Sequence, residues 1–147
     1  MKKVVALAAV VAVAALTLTA VSIAGTRTTM MGVSANLTAG QEVPKQVVHD
    51  MAATGHFVGT LSGRKLSWKL TFSHLTGSAT AAHIHIGAMG KAGNVLASLC
   101  SPCHSGVKGT TTLSAAARRQ LSQHKLYVNI HTDKNPNGEL RGQLSEH

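Results

Sequence analysis

The sequence predicts an all-β domain, an antiparallel sandwich or barrel that carries one short helix. Three observations predict it. Leu66, Trp68, Leu70 and Phe72 alternate with Lys65, Ser67, Lys69 and Thr71, the period of a half-buried strand. Glycine, serine, asparagine and proline punctuate the chain at short intervals, which suits strands and turns. Only Ala115 to Gln123 reads as helical, with Ser114 placed as its N-cap.

The N-terminus comes first. Lys2 and Lys3 precede an apolar run from Val4 to Leu16, and Ser22 and Ala24 offer small residues for processing. This predicts a signal peptide over residues 1–24, cleaved after Ala24. An uncleaved anchor is the competing reading, because Val4 to Ala24 is just long enough to span a bilayer. Either way the rest of the chain is expected to be secreted or associated with the cell envelope. Gly25 to Gly32 is polar and Thr-rich and reads as a short linker, leaving a domain over residues 33–145. That remainder is of the commonest single-domain size.

Val33 to Leu37 is the first expected strand. Gln41-Glu42-Val43-Pro44 should be extended, since a residue before proline is pushed out of helical space. Thr54 to Leu61 and the Leu66 to Phe72 run follow, with a turn at Gly63 between them and Trp68 facing the core. Ala81 to Ile86 is the next strand, leading into a turn through Gly87, Gly90 and Gly93. Asn94 to Leu99 and Val107 to Leu113 precede the helix. Leu126 to Thr132 and Glu139 to Leu144 close the domain, joined by Asp133 to Gly138, a connector rich in hairpin turn chemistry.

The net charge is +9, of which Lys2 and Lys3 lie in the leader. The other basic residues, among them Lys45, Arg64, Lys65, Lys69, Lys91, Lys108, Arg118 and Arg119, are scattered along the sequence. Trp68, Phe57, Phe72 and Tyr127 are the only aromatic side chains. Without a focused basic surface interleaved with aromatics, nucleic acid is excluded as a partner. Weak attraction to anionic wall polymers or lipid headgroups is the economical reading of the charge. No stable membrane span is expected once the leader is removed.

Chemistry concentrates on three histidines. Ala82-His83-Ile84-His85-Ile86 puts His83 and His85 on one strand face and Ile84 and Ile86 in the core behind them. His131 ends the strand Leu126 to Thr132. If those strands are neighbours, three imidazoles form a site suited to Zn²⁺ or Cu²⁺, with copper the tighter binder and redox activity open to it. A hydrogen-bonded polar network around Glu42, Arg141 and these histidines, with Asn129 or Asp133 as partners, would leave the same sequence signature. His49, His56, His74, His124 and His147 have no informative spacing.

Glu42, Glu139 and Arg141 read as structure. A partly buried pair between Arg141 and either carboxylate would lock the N-terminal segment to the last strand. No nucleophile or G-x-S-x-G context accompanies them, so no catalytic residue is assigned.

Cys100-Ser101-Pro102-Cys103-His104 matches the C-x-x-C-H pattern of covalent haem attachment. Two cysteines in an exported domain more commonly form a disulfide, which is the expectation here. A soft-metal site from both thiolates and His104 is a further reading. Haem, with Met89 as a possible axial ligand, runs against the strand-rich pattern.

Four motifs in order extend these readings. They are Leu37-Thr38-Ala39-Gly40-Gln41-Glu42-Val43-Pro44, Ala81-Ala82-His83-Ile84-His85 with Gly87 and Gly90, Tyr127-Val128-Asn129-Ile130-His131-Thr132, and Asn137-Gly138-Glu139-Leu140-Arg141-Gly142-Gln143-Leu144. From about Val33 to Leu144 the chain resembles the CHRD domain, the module named for chordin. The resemblance implies an immunoglobulin-like β-sandwich, similar in architecture to copper/zinc superoxide dismutase. The long metal-binding loops of that enzyme are absent, so superoxide chemistry is not expected. The cysteine-bearing loop lies outside the family core.

Two functions are carried forward. One is a non-enzymatic binding or structural module whose partner is an unknown protein or envelope component. The other is a copper- or zinc-binding protein using His83, His85 and His131.

Overall fold

Alternation decides which residues form strands and which way they face. Between Lys65 and Ser73, Leu66, Trp68 and Leu70 are buried while Lys65, Ser67 and Lys69 are exposed. A period of two leaves this segment one stable arrangement, apolar side chains on a core and lysines in water. The computed structural model describes residues 29–45 and 52–147. The expected signal peptide over 1–24, residues 25–28 of the expected linker and His49 lie outside the described residues.

Nine strands and one α-helix are present among the described residues. They are β1 (Met30–Thr38), β2 (Thr54–Ser62), β3 (Lys65–Ser73), β4 (Ala79–Ile86), β5 (Val95–Cys100), β6 (Val107–Thr112), α1 (Ala115–Ser122), β7 (Leu126–Thr132), β8 (Leu140–Gln143) and β9 (Ser145–Glu146). Every ladder is antiparallel. The strand order is β5-β4-β7-β8-β1-β2-β3-β6, with β9 beside β1. The two ends of that path, β5 and β6, come into contact, so the sheet curls into a barrel-like sandwich. The all-β antiparallel class with one short helix is as expected.

The core lies inside this curl. Val33 and Leu37 of β1, Phe57 and Leu61 of β2, Leu66 and Leu70 of β3, Ile84 of β4, and Val128 and Ile130 of β7 are all buried. Burying side chains of this size stabilises by roughly 1.5–3 kcal/mol each. The Phe57 and Trp68 rings stack with centroids 6.1 Å apart. The Ser114 hydroxyl accepts from the Ala117 N–H, as its N-cap position predicts, and α1 packs Ala117 and Leu121 against the core.

Several boundaries differ from expectation. β1 begins at Met30, inside the expected linker, and Gly32 and His147 exchange backbone hydrogen bonds of 3.0 Å each. The folded region therefore extends beyond 33–145 at both ends, because ladder hydrogen bonds require no apolar side chain. Ala39–Gln41 forms a single 3₁₀ turn, and only at Glu42 does the chain become extended. Ile86, expected in the core, is 38% exposed. It is the last residue of β4, at the rim of the sheet, where its N–H is bonded to Asn94 O in the following turn.

Candidate metal centre

The face of β4, β7 and β8 turned away from the core carries a continuous row of polar and aromatic side chains. Register sets the row. His85 stands opposite Tyr127, and Tyr127 opposite Gln143. His83 stands opposite Asn129, and Asn129 opposite Arg141. His131 faces Ala81, whose methyl group leaves space beside the ring.

The three expected histidines meet here. Ring centroids are 5.0 Å apart for His83 and His131, 5.6 Å for His83 and His85, and 6.1 Å for His85 and His131. One ring nitrogen from each lies within 4.8 Å of the other two. Around a tetrahedral ion with bonds of about 2.0–2.1 Å, ligand nitrogens stand roughly 3.3 Å apart. Small side-chain rotations close that difference.

Hydrogen bonds assign the tautomers of two rings. His85 Nδ1 donates to Gly93 O and His131 Nδ1 donates to Pro136 O, each at 3.0 Å. A carbonyl only accepts, so both Nδ1 atoms carry the proton and both Nε2 atoms keep a lone pair. Those two Nε2 atoms, and Nδ1 of His83, are buried without a hydrogen-bond partner among the described residues. Metal-binding imidazoles typically have one nitrogen anchored to a carbonyl and the other free.

Electrostatics keeps the lone pairs available. Burial lowers the His83 pKa below the usual 6.5, and the neighbouring His131 and His85 lower it further. For His85, burial again dominates; the Gly93 bond opposes it, and His131 and Arg141 add to it. Burial also lowers His131, against the bond to Pro136. Each ring resists protonation in weakly acidic solution.

The segment 87–94 lies over the neighbouring part of this face. Arg141 Nη2 donates to Ala88 O at 3.0 Å and to Lys91 O at 2.9 Å, and its guanidinium sits 3.6 Å from the Tyr127 ring centroid. Gln143 Nε2 donates to Gly87 O at 2.8 Å. Tyr127 Oη accepts from Gly93 N–H at 3.2 Å, and the Tyr127 ring stacks on His85 at 4.9 Å. Two glycines permit this closeness: a Cβ at Gly87 would lie 2.9 Å from the Tyr127 ring, and one at Gly93 would fall onto Ile86 O.

Among the described residues no hydrogen bond joins Arg141 to Glu42 or Glu139, but the Arg141 and Glu42 charges act on each other's pKa. Arg141 Nη2 instead meets the Ala88 and Lys91 carbonyls. Asn129 Nδ2 holds both Glu42 oxygens, at 2.8 and 3.0 Å. Burial raises the Glu42 pKa from 4.5 to about 7, against the lowering effects of Asn129, Arg141 and the Val43 backbone. Glu139 is fully buried in a separate network, accepting from Thr132 Oγ1, Thr76 N–H and Asn135 Nδ2. Glu139 stands just outside β8, which starts at Leu140, after a turn at Gly138 with φ of +127°. Polar networks are therefore present, yet they leave out the three imidazole nitrogens.

Cys100, the last residue of β5, and Cys103, in the loop to β6, form a disulfide with Cα atoms 5.2 Å apart. Both sulfurs are bonded to each other, whereas the soft-metal and haem readings need them free. Met89 is 76% exposed. Tyr127 and Gln143 were missed by sequence reasoning, although Tyr127 shares the phase of His131 in β7. No helix among the described residues is long and apolar enough to cross a membrane.

Residues 33–144 match the family model described as the CHRD domain. No curated protein and no solved structure matches the chain.

Proposed function

The chain belongs to the CHRD-domain family, and from that premise we propose that it is an exported, non-enzymatic module that binds Cu²⁺ or Zn²⁺ through His83, His85 and His131. One observation carries the reading. Three buried imidazole nitrogens without hydrogen-bond partners among the described residues belong to three rings, one nitrogen of each lying within 4.8 Å of the other two. Leaving a buried acceptor unsatisfied costs roughly 1–3 kcal/mol, and an ion would relieve that cost at several atoms together.

The donor set supports the choice of ion. Three neutral nitrogens with no carboxylate suit zinc and copper and offer little to magnesium or calcium. The backbone carbonyls of Gly93 and Pro136 orient two rings before any ion arrives. A three-histidine set leaves a fourth position for water or a small anion, and with copper that position is open to redox chemistry. Export is read from the leader motif, Lys2 and Lys3 followed by the apolar run.

The test is metal content of protein purified without a histidine tag and then incubated with Cu²⁺ or Zn²⁺. The expected result is one ion per chain, abolished in His83→Gln/His85→Gln. Wild-type protein that takes up no ion, or a variant that retains it, overturns the reading.

A further inference from the structure

The three imidazoles of the candidate metal centre are not held alike. His85 and His131 each give an Nδ1–H to a backbone carbonyl, Gly93 O and Pro136 O, which fixes the ring and leaves Nε2 for an ion. The His83 side chain makes no hydrogen bond among the described residues. Its Nδ1 is a buried nitrogen, as Nε2 of the other two rings is, whereas its own Nε2 reaches solvent. Its ring contacts are edge-on, with centroids 5.0 Å from His131 and 5.6 Å from His85.

The strand beneath His83 is uneven as well. β4 keeps register with β7 from Ala81 to Ile86. Against β5 it slips between Ala82 and His83, and again between Ile84 and His85. Irregularities of this kind re-aim a side chain and loosen the local ladder. Neither cross-strand neighbour anchors the ring. Asn129 on β7 turns its Nδ2 to Glu42, and its Oδ1 has no partner among the described residues. Ser98 on β5 is exposed, and its hydroxyl makes no hydrogen bond there.

We infer that His83 is the exchangeable ligand of the three, and that the centre passes its ion to a multidentate acceptor whose nitrogen donors replace that ring. This rests on the metal-binding reading above. His85 and His131 form the fixed pair. His83 closes the third side through Nδ1 and turns toward solvent when the acceptor arrives. In the exchange the metal–Nδ1 bond breaks as a bond to the acceptor forms. Nε2 keeps its proton and Nδ1 recovers its lone pair, so the step needs neither an electron nor a proton from this chain.

The experiment starts from zinc-loaded protein of measured metal content and follows transfer to excess pyridylazoresorcinol, a nitrogen-donor chelator that changes colour with zinc. A ligand held by an outer hydrogen bond gains about 10–100-fold in metal affinity from it, so His83→Gln is expected to weaken zinc binding by that much less than His85→Gln or His131→Gln. Ser98→Asp sets a carboxylate across from His83 as an anchor for Nε2, and transfer is expected to slow by about 10–100-fold. Ser98→Asn offers a neutral acceptor at the same place and should slow transfer too. Both changes are at an exposed position, so they report even where a histidine variant fails to fold. Nitrogen NMR of the loaded wild type should show zinc on Nδ1 of His83 and on Nε2 of His85 and His131. Equal losses from the three single histidine variants, a transfer rate that neither Ser98 variant changes, or zinc on Nε2 of His83 overturn the proposal and leave the metal site standing. Slowing by Ser98→Asp alone would mark its carboxylate as a ligand in its own right and overturn it too. Wild-type protein that takes up no zinc and no copper overturns both this inference and the reading beneath it.

Discussion

The Asn129 side-chain amide donates to both carboxylate oxygens of Glu42, at 2.8 and 3.0 Å, and so ties β7 to the turn that follows β1. Both residues are buried. The contact is close enough to dictate its neighbour. A Cβ added at Gly138 would lie 2.6 Å from Asn129 Oδ1 and 3.0 Å from Glu42 Oε1, on a backbone with φ of +127°.

Gly138→Ala should therefore destabilise the domain by about 2–4 kcal/mol, from backbone strain together with displacement of a buried hydrogen-bonded pair. Gly63→Ala is the comparison, because φ there is +59° and a Cβ meets nothing within 4 Å. That change should cost only about 1 kcal/mol. Urea unfolding of both variants gives the two numbers. Equal costs would show that backbone conformation alone is responsible and that the Asn129–Glu42 contact imposes no tight packing.

Glu42 predicts one limb of the pH dependence. Its folded pKa of about 7 stands above the ordinary 4.5, raised first by burial. The native state holds this proton longer than the unfolded chain does, so the contribution to stability is complete below pH 4.5 and lost as pH rises through 7. Between pH 4.5 and 8 the loss should amount to roughly 2–3 kcal/mol. Glu42→Gln imitates the protonated form and should gain on wild type by that amount as pH rises. Denaturant unfolding across the interval checks it. A constant difference between the two proteins would mean the carboxyl titrates at its ordinary value.

Much of the architecture was legible in alternation. β3 and β7 fall where the period of two places them, and Ser114 caps α1 as its position predicts. The His83–His85 face was legible for the same reason, and His131 joined it because β4 and β7 do pair. The cover over that face was not legible. Segment 87–94 is held through the carbonyls of Gly87, Ala88, Lys91 and Gly93, and backbone carbonyls carry no sequence signature. Arg141 was picked out, but not its hydrogen bonds to Ala88 O and Lys91 O, since a guanidinium that meets carbonyls and one that meets a carboxylate look alike in sequence.

Arg141 should act as the clamp on segment 87–94. Its two hydrogen bonds to Ala88 O and Lys91 O, with the Tyr127 stack, form the side-chain hold beside His85. Arg141→Lys keeps the charge but loses the planar fork, and should cost about 1–3 kcal/mol. Hydrogen exchange should accelerate over 87–94 while the amides of β1 and β2 stay protected. If exchange rises uniformly across the sheet, Arg141 supports the whole fold and is not a local clamp.

The histidines predict the opposite pH limb from Glu42. Each has a pKa lowered from 6.5, with burial the first cause in all three. An unfolded chain therefore takes up protons near pH 6.5 that the native state refuses. Stability from these groups is intact above 6.5 and falls as pH drops below it, levelling off only beneath the folded pKa values. His131 charge opposes protonation of His83 and His85, so the three titrations are coupled. The effect is best read in a Glu42→Gln background, where the opposing carboxyl limb is gone. There, His83→Gln/His85→Gln/His131→Gln should flatten the acid limb between pH 6.5 and 5. Metal gives a second reading from the same variants. At pH 7, Zn²⁺ at a hundred times its dissociation constant should stabilise the domain carrying all three histidines by about 2.7 kcal/mol. That gain should shrink on acidification, because protons compete for the same nitrogens. If the triple variant keeps the acid limb and the zinc gain, both effects originate elsewhere and the three-imidazole site has no part in either.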